Sequence, residues 1–212
     1  MSKISFVYFD VGGVAIRDFS DSPKWDNMLK DMGLDSFDRT KVDEIYDSRE
    51  DDVCLGKMHI DSILPHYIQE FKIPIDPKFS MQKYFVDHFE QNIGIWPIVK
   101  KLNENTKIGL LTDMYPGMLE AIFAQNLLPE VSWNQIIDSS VEGVRKPMKE
   151  IYELAAKRAG VDPEEILFID NRQKNVNGAI SNSWQGFFYD SSDYDQANLE
   201  LADFLRSSNI II

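Results

Sequence analysis

Short, almost continuously apolar segments are the clearest structural signal along the chain. They span residues 4–9, 108–111, 166–169 and 186–189, with weaker signals at 135–137 and 210–212. Strands that are apolar at every position are typical of a parallel sheet, because helices cover both of its faces. We therefore predict a parallel sheet built from these segments.

Helical patterns separate the predicted strands. After Pro147, the apolar residues Ile151, Leu154 and Ala155 recur at helical spacing, and residues 162–165 (DPEE) carry the cap, proline and acids of a helix start. The alternation of strands and helices predicts the α/β fold class with right-handed crossovers.

The stretch between the first two strong strand signals is much longer than a crossover requires. A parallel crossover needs about a dozen residues, whereas residues 17–91 look helical throughout, with helix-start signals at Ser22-Pro23 and Asp76-Pro77. We predict an inserted helical cap at 17–91 on a core formed by residues 1–16 and 92–212. Ligands bind beyond the carboxyl ends of strands in such folds, so the cap is expected to act as a lid over that site.

Side chains suited to chemistry follow the first two strong strand signals. Asp10 ends the first one and precedes Gly12 and Gly13, which allow a backbone to approach a ligand closely. A carboxylate at a strand tip suits a nucleophile or a metal ligand, although a turn with a capping Asp has the same pattern. Thr112 ends the second strand, and its hydroxyl suits an oxyanion, as the N-terminus of a following helix opened by Pro116 would.

Two later positions complete this set. Lys146 lies at the start of a predicted helix, where an ammonium can hold an anion, although most such lysines are simply solvated. Asp170 and Asn171 follow another strand and offer the oxygen ligands that Mg²⁺ prefers. The alternative there is a helix cap followed by surface-exposed Asn175 and Asn177. An Asp, a hydroxyl, a lysine and a second Asp at one sheet edge together indicate a phosphoryl-transfer site.

Composition narrows the range of partners. The chain has 22 Lys and Arg against 35 Asp and Glu, a net charge of −13, and such a surface repels nucleic acid and anionic membranes. The single cysteine, Cys54, excludes an internal disulfide and a thiolate zinc cluster. No apolar run reaches the roughly 18 residues that span a bilayer, and the first residues lack the apolar segment of a signal peptide. We expect a cytoplasmic protein with no nucleic-acid or membrane partner.

In this order and spacing, the residues resemble the haloacid dehalogenase-like hydrolases, specifically the branch with a helical cap after the first strand. The resemblance covers essentially the whole chain and is strongest from 108 to 189, above all in VEGVRKPMKEIYELAAKRAGVDPEEILFIDNRQKNVNGA. It implies a Rossmann-like core with an inserted helical cap. It also implies a hydrolase that acts on a small phosphorylated metabolite, such as a sugar phosphate, through an aspartyl-phosphate intermediate.

The same resemblance implies roles for individual residues. The nucleophile would be Asp10, and the other catalytic groups would be Lys146 and Thr112. The substrate would be bound by Gly13, Thr112, Asp113 and Lys146. The cofactor would be Mg²⁺, held by Asp10, Gly12 and Asp170, with Asn171 orienting a metal-bound water.

Two positions depart from the family pattern. Gly12 replaces the Asp that usually acts as general acid and base, a loss that typically costs about 10²–10⁴ in rate and less for a good leaving group. Asp113 replaces an Asn or a small residue. The carboxylate of Asp113 would weaken phosphate binding unless it turns away or bonds Arg17, Arg145 or a backbone amide. Alternatively, Asp113 would serve as a substitute proton donor.

These departures leave two other functions open. One is a catalytically inactive module that binds a phosphorylated ligand or a protein. The other is 2-haloacid dehalogenation, in which the same Asp attacks carbon without a metal. The Asp170-Asn171 pair argues against the latter, as does the absence of the aromatic residue that dehalogenases place near Gly12.

Overall fold

The structure is a computed structural model that describes residues 3–19 and 22–212. Met1 and Ser2, which the predicted core includes, and Ser20 and Asp21, which the predicted cap includes, lie outside the described residues. The strands are β1 (Phe6–Phe9), β2 (Lys107–Thr112), β3 (Gln135–Asp138), β4 (Ile166–Asp170) and β5 (Gln185–Phe188). The α-helices are α1 (Pro23–Asp31), α2 (Arg39–Cys54), α3 (Leu64–Phe71), α4 (Met81–His88), α5 (Trp96–Asn105), α6 (Met118–Ala124), α7 (Ser139–Glu142), α8 (Lys149–Ala159), α9 (Gln173–Ser181) and α10 (Tyr194–Ser207).

The strands form one parallel sheet in the order β3-β2-β1-β4-β5. Alternate side chains of β1 enter different apolar clusters: Val7 and Phe9 pack in one, and Phe6 and Tyr8 in the other. Because both faces of the central strand are buried, its sequence is apolar at every position. The predicted α/β fold class, a Rossmann-like parallel sheet flanked by helices, is confirmed.

One strand prediction is wrong. The apolar residues 210–212 form no strand, although Ile210 packs in the core and is only 7% exposed. The amide of Ile210 instead donates to the carbonyl of Leu205 at 2.9 Å, which closes the turn after α10. The apolar segment therefore reflects the packing of Ile210 and, in part, Ile212 on the core after a helix end, while Ile211 is 62% exposed.

The described residues between β1 and the start of α5 form helices and connecting loops, as the pattern predicts. Ser22 caps α1, because its side chain accepts from the amide of Lys24. Asp76-Pro77 does not begin a helix: the amide of Phe79 donates to the carbonyl of Asp76 in a turn, and α4 starts at Met81. The division into cap and core stays a prediction.

The chain enters and leaves this helical region along paired segments. The amide of Arg17 donates to the carbonyl of Glu90 at 2.8 Å. Beside this pair, the buried side chain of Asn92 donates to the carbonyl of Val14 at 2.7 Å and to the hydroxyl of Tyr189 at 2.9 Å. Hydrogen bonds thus fix both connections against the sheet.

None of the described helices combines the length and the apolar character that crossing a membrane requires.

Candidate active site

The sheet order places three predicted site residues at one edge. The central strand β1 lies between β2 and β4, and Phe9 is in register with Leu110 and Ile169. Asp10, Thr112 and Asp170 therefore follow or end neighbouring strands at their carboxyl ends, where parallel α/β sheets bind ligands. All three are buried.

Lys146 lies between the two carboxylates. Its Nζ is 2.9 Å from Oδ1 of Asp10 and 2.7 Å from Oδ2 of Asp170, and it donates to the carbonyl of Leu111 at 3.2 Å. The residue is only 2% exposed, and an ammonium at this depth is stable only with such partners. Burial would lower the pKa of Lys146, but Asp10 and Asp170 raise it above its ordinary value, so the ammonium stays charged.

Asp170 is held from the helix that follows its strand. The side-chain Nδ2 of Asn175 donates to Oδ1 and Oδ2 of Asp170 at 3.2 and 3.1 Å, and the amide of Arg172 donates to Oδ1 at 2.7 Å. The interpretation of Asn175 as a surface residue is wrong, because it is 3% exposed on the inner face of α9. The contact could have been predicted from the position of Asn175, which lies five residues after Asp170 in the first turn of the helix. Asn177 is exposed, as expected.

Burial dominates the electrostatics of Asp10. It raises the pKa of Asp10 to about 7, against the lowering effect of Lys146, while Asp170 adds to the rise. The Oδ1 atom interacts with two donors, the amide of Val11 at 2.7 Å and the ammonium of Lys146. Among the described residues, no donor contacts Oδ2. A positive charge at this second oxygen would favour the ionised carboxylate.

Thr112 supplies a hydroxyl without a partner. The residue is 1% exposed, and its Oγ1 has no hydrogen bond among the described residues. A buried hydroxyl left unsatisfied costs about 1–3 kcal/mol. A ligand oxygen reaching this hydroxyl would remove that cost.

Asp113 turns toward the loop that carries Lys146. Its Oδ1 accepts from the amide of Lys146 at 2.9 Å, and its Oδ2 is 3.6 Å from Nε of Arg145. The structure therefore shows two of the contacts that would keep this carboxylate from weakening phosphate binding. Its predicted role as a substrate ligand stays a prediction.

The two glycines after Asp10 differ in their surroundings. Gly13 has a left-handed φ of +80°, and a Cβ there would overlap the side-chain amide of Asn171. A Cβ on Gly12 would meet nothing within 4 Å. The Nδ2 of Asn171 donates to Asp18 and Ser191, both at 3.2 Å. This amide nitrogen thus holds the segment that leads into the helical region, and the metal role of Asn171 stays a prediction.

Asp10, Gly12 and Lys146 line a cavity of about 710 Å³. Residues of the helical region form much of the remaining wall, on the side where a lid was expected. The individual residues were not predicted; they include Phe19, Tyr46, Glu50, Cys54, Phe85 and Phe89. Tyr46, Glu50 and Cys54 recur every four residues on α2, so a spacing signal was present. Which side of the helix faces the core, however, depends on how the helix docks.

The donor set fits Mg²⁺. No group of three His, Cys, Asp or Glu side chains gathers as a metal cluster in the described part of the chain, but Mg²⁺ usually takes only one or two carboxylates plus waters and phosphate oxygens. Asp10 and Asp170 are two such carboxylates, drawn together by one ammonium. Beside them, Oδ1 of Asn175 and Oγ1 of Thr112 are buried and have no partner in the part of the chain that the structure describes.

Comparisons with known proteins agree with this arrangement. The family model described as haloacid dehalogenase-like hydrolase matches residues 7–181. A comparison with curated proteins found no match.

Solved structures share the fold. A HAD family enzyme from Bacteroides thetaiotaomicron superposes with a TM-score of 0.76 at 17% identity, over 94% of this chain and 99% of that one; the same enzyme has also been solved with magnesium and inorganic phosphate. A predicted HAD-like family hydrolase from Porphyromonas gingivalis gives 0.74 at 19% identity, over 95% and 98% of the two chains. L-2-haloacid dehalogenase from Xanthobacter autotrophicus, with chloropropionic acid covalently bound, gives 0.65 at 19% identity, over 99% and 85%.

Proposed function

Because the chain belongs to the haloacid dehalogenase-like hydrolase family, we propose that it is a Mg²⁺-dependent phosphatase of a small phosphorylated metabolite. The observation that carries this proposal is the contact of one buried ammonium, that of Lys146, with the carboxylates of Asp10 and Asp170. The cavity of about 710 Å³ beside them has the volume of a small-molecule site.

Asp10, Asp170 and the carbonyl of Gly12 would hold the metal. When bound, Mg²⁺ supplies the positive charge that lets a carboxylate approach an anionic phosphate. Asp10, Lys146 and Thr112 supply the nucleophile, the positive charge and the hydrogen bond that the reaction also needs.

In the first step, Oδ2 of Asp10 attacks the phosphorus. The bond between phosphorus and the ester oxygen breaks, and its electron pair leaves with that oxygen. Lys146 offsets the negative charge of Asp10 and of the transferring group, and the free hydroxyl of Thr112 donates to a phosphoryl oxygen.

In the second step, water attacks the phosphorus of the aspartyl phosphate. The bond between phosphorus and Oδ2 of Asp10 breaks, inorganic phosphate leaves with both protons of the water, and the carboxylate of Asp10 is restored. Gly12 offers no group that moves a proton in either step, so the enzyme should favour esters whose leaving group is stable as an anion.

Two observations support phosphate-ester hydrolysis over the other candidate functions. The first is that two buried carboxylates share a single ammonium, that of Lys146, which favours the binding of a further cation at this site. Haloacid dehalogenation proceeds without a metal and does not need such a cation. The second concerns the inactive module, which the departures at Gly12 and Asp113 left open. Asp113 accepts a hydrogen bond from the amide of Lys146, so this residue is no longer a reason to expect inactivity.

The test is phosphate release from p-nitrophenyl phosphate by the purified protein. We expect turnover with Mg²⁺, suppression by EDTA, and loss of activity in Asp10→Asn. Asp203→Asn, at an exposed position on α10, is the matched control and should keep full activity. Binding of Mg²⁺ without turnover across a broad panel of phosphate esters would contradict the proposal and favour a phospho-ligand-binding module.

A further inference from the structure

Helix α2 and the residues after it lie against the loop that follows Thr112. The hydroxyl of Ser139 donates to the carbonyl of Cys54 at 2.6 Å and accepts from the amide of Met114 at 3.0 Å. Nearer the start of the helix, the hydroxyls of Tyr46 and Tyr115 are in contact. The helical region is thus bonded, directly and through Ser139, to the loop that contains Asp113.

A second connection runs from α2 to Lys146. Nη1 of Arg145 is 2.5 Å from Oδ1 of Asp51 on α2, and its Nε is 3.6 Å from Oδ2 of Asp113. The other oxygen of Asp113 accepts from the amide of Lys146 at 2.9 Å. These contacts form an unbroken series from α2 to the backbone of Lys146.

We propose that Arg145 is a positioning residue that couples the docking of α2 to the placement of Lys146, an inference that rests on the proposed phosphatase function. The side chain of Asp113 is only 16% exposed, and Arg145 is its ion-pair partner among the described residues. Without the Arg145 charge, only the bond from the Lys146 amide holds the carboxylate toward this loop, and the carboxylate can turn to face the phosphate instead. The backbone of Lys146 would then be held less firmly, and its ammonium would be placed less exactly between Asp10 and Asp170.

The kinetic test compares Arg145→Met with Arg158→Met, a control at an arginine on α8 that also pairs with a carboxylate. We expect kcat for p-nitrophenyl phosphate to fall by about 10²-fold, because small displacements of a catalytic group have effects of that size, with a smaller change in KM. Arg145→Lys should recover part of the loss, and Asp51→Asn should show a smaller loss because the Asp51 side chain is 81% exposed. Arg158→Met removes the ion pair of an exposed arginine on α8 with Glu142; neither residue lines the cavity, so kcat should be unchanged.

A second measurement does not depend on activity. Hydrogen exchange of the Lys146 amide, followed by NMR, should accelerate in Arg145→Met and not in Arg158→Met. Unchanged kcat and unchanged exchange would overturn the inference. A fall in kcat with unchanged exchange would also overturn it, because Arg145 would then act on the substrate directly.

The two proposals fail in different ways. A wild-type protein without Mg²⁺-dependent phosphatase activity would contradict the proposed function, while the exchange measurement would still decide whether Arg145 holds Lys146. If Arg145→Met does not fold, Arg145→Lys and Asp51→Asn provide the same comparison.

Discussion

A single position, Gly12, sets the expected chemistry of the site. It stands two residues after the proposed nucleophile, where a carboxylate would shuttle protons to the leaving group. The structure leaves space there: a Cβ would meet no atom within 4 Å, and the residue is not among the glycines with positive φ.

Gly12→Asp should therefore widen the range of esters that are hydrolysed. We expect the ratio of kcat/KM for an alkyl phosphate to kcat/KM for p-nitrophenyl phosphate to rise by up to about 10²–10⁴-fold, the contribution of a general acid. Steady-state kinetics with both esters measure this ratio. The control is Gly13→Ala, which should lose activity because its Cβ overlaps Asn171; an unchanged ratio in Gly12→Asp would contradict this account of the position.

Among the elements, the strands and the ends of the strands were the most predictable features. A buried parallel strand is apolar at every position, and parallel strands end at one edge, so Asp10, Thr112 and Asp170 could be placed together from the sequence. Helix contacts were harder to predict. Asn175 faces Asp170 only because α9 docks with that side inward. Helix α4 begins at Met81 and not at the predicted Asp76-Pro77, because Asp76 forms a turn instead of a cap.

At this scale we expect Asn175→Ala to weaken metal binding. Its amide orients both oxygens of Asp170, and the loss of a group that orients a metal ligand typically costs 10–100-fold in metal affinity or activity. A titration of phosphatase activity with Mg²⁺ should show the half-saturating concentration rising by about that factor. Asn177→Ala, on the exposed side of the same helix, should leave it unchanged; equal effects of both variants would refute the orienting role.

The net charge of the whole molecule has the same sign as the charge of its proposed substrate. This net charge of −13 repels a phosphate ester at long range, while the attracting ammonium of Lys146 is buried. The sequence predicted the position of the positive group, Lys146, beside Asp10 and Asp170 at one edge of the sheet. It did not predict which side chains of the helical region line the cavity, because that depends on how separate helices pack together.

Salt should therefore improve substrate capture. The Debye length falls to about 8 Å at physiological ionic strength, so added NaCl screens the distant acidic surface more than the buried contacts of Lys146. We expect kcat/KM for p-nitrophenyl phosphate at fixed Mg²⁺ to rise as NaCl increases from low to physiological concentration. A steady decrease would show that exposed basic groups, and not the buried lysine, dominate capture.

The proposed covalent role of Asp10 can be measured most directly by trapping the intermediate. The phenolate of p-nitrophenyl phosphate leaves without a general acid, whereas Gly12 supplies no base for the second step, so the aspartyl phosphate should accumulate during turnover of this ester. Acid quenching followed by peptide mass spectrometry should locate one phosphoryl group on Asp10 in the wild-type protein with Mg²⁺, and none in Asp10→Asn. Sustained turnover with no phosphoryl group on Asp10, or with the group on another residue, would contradict the account.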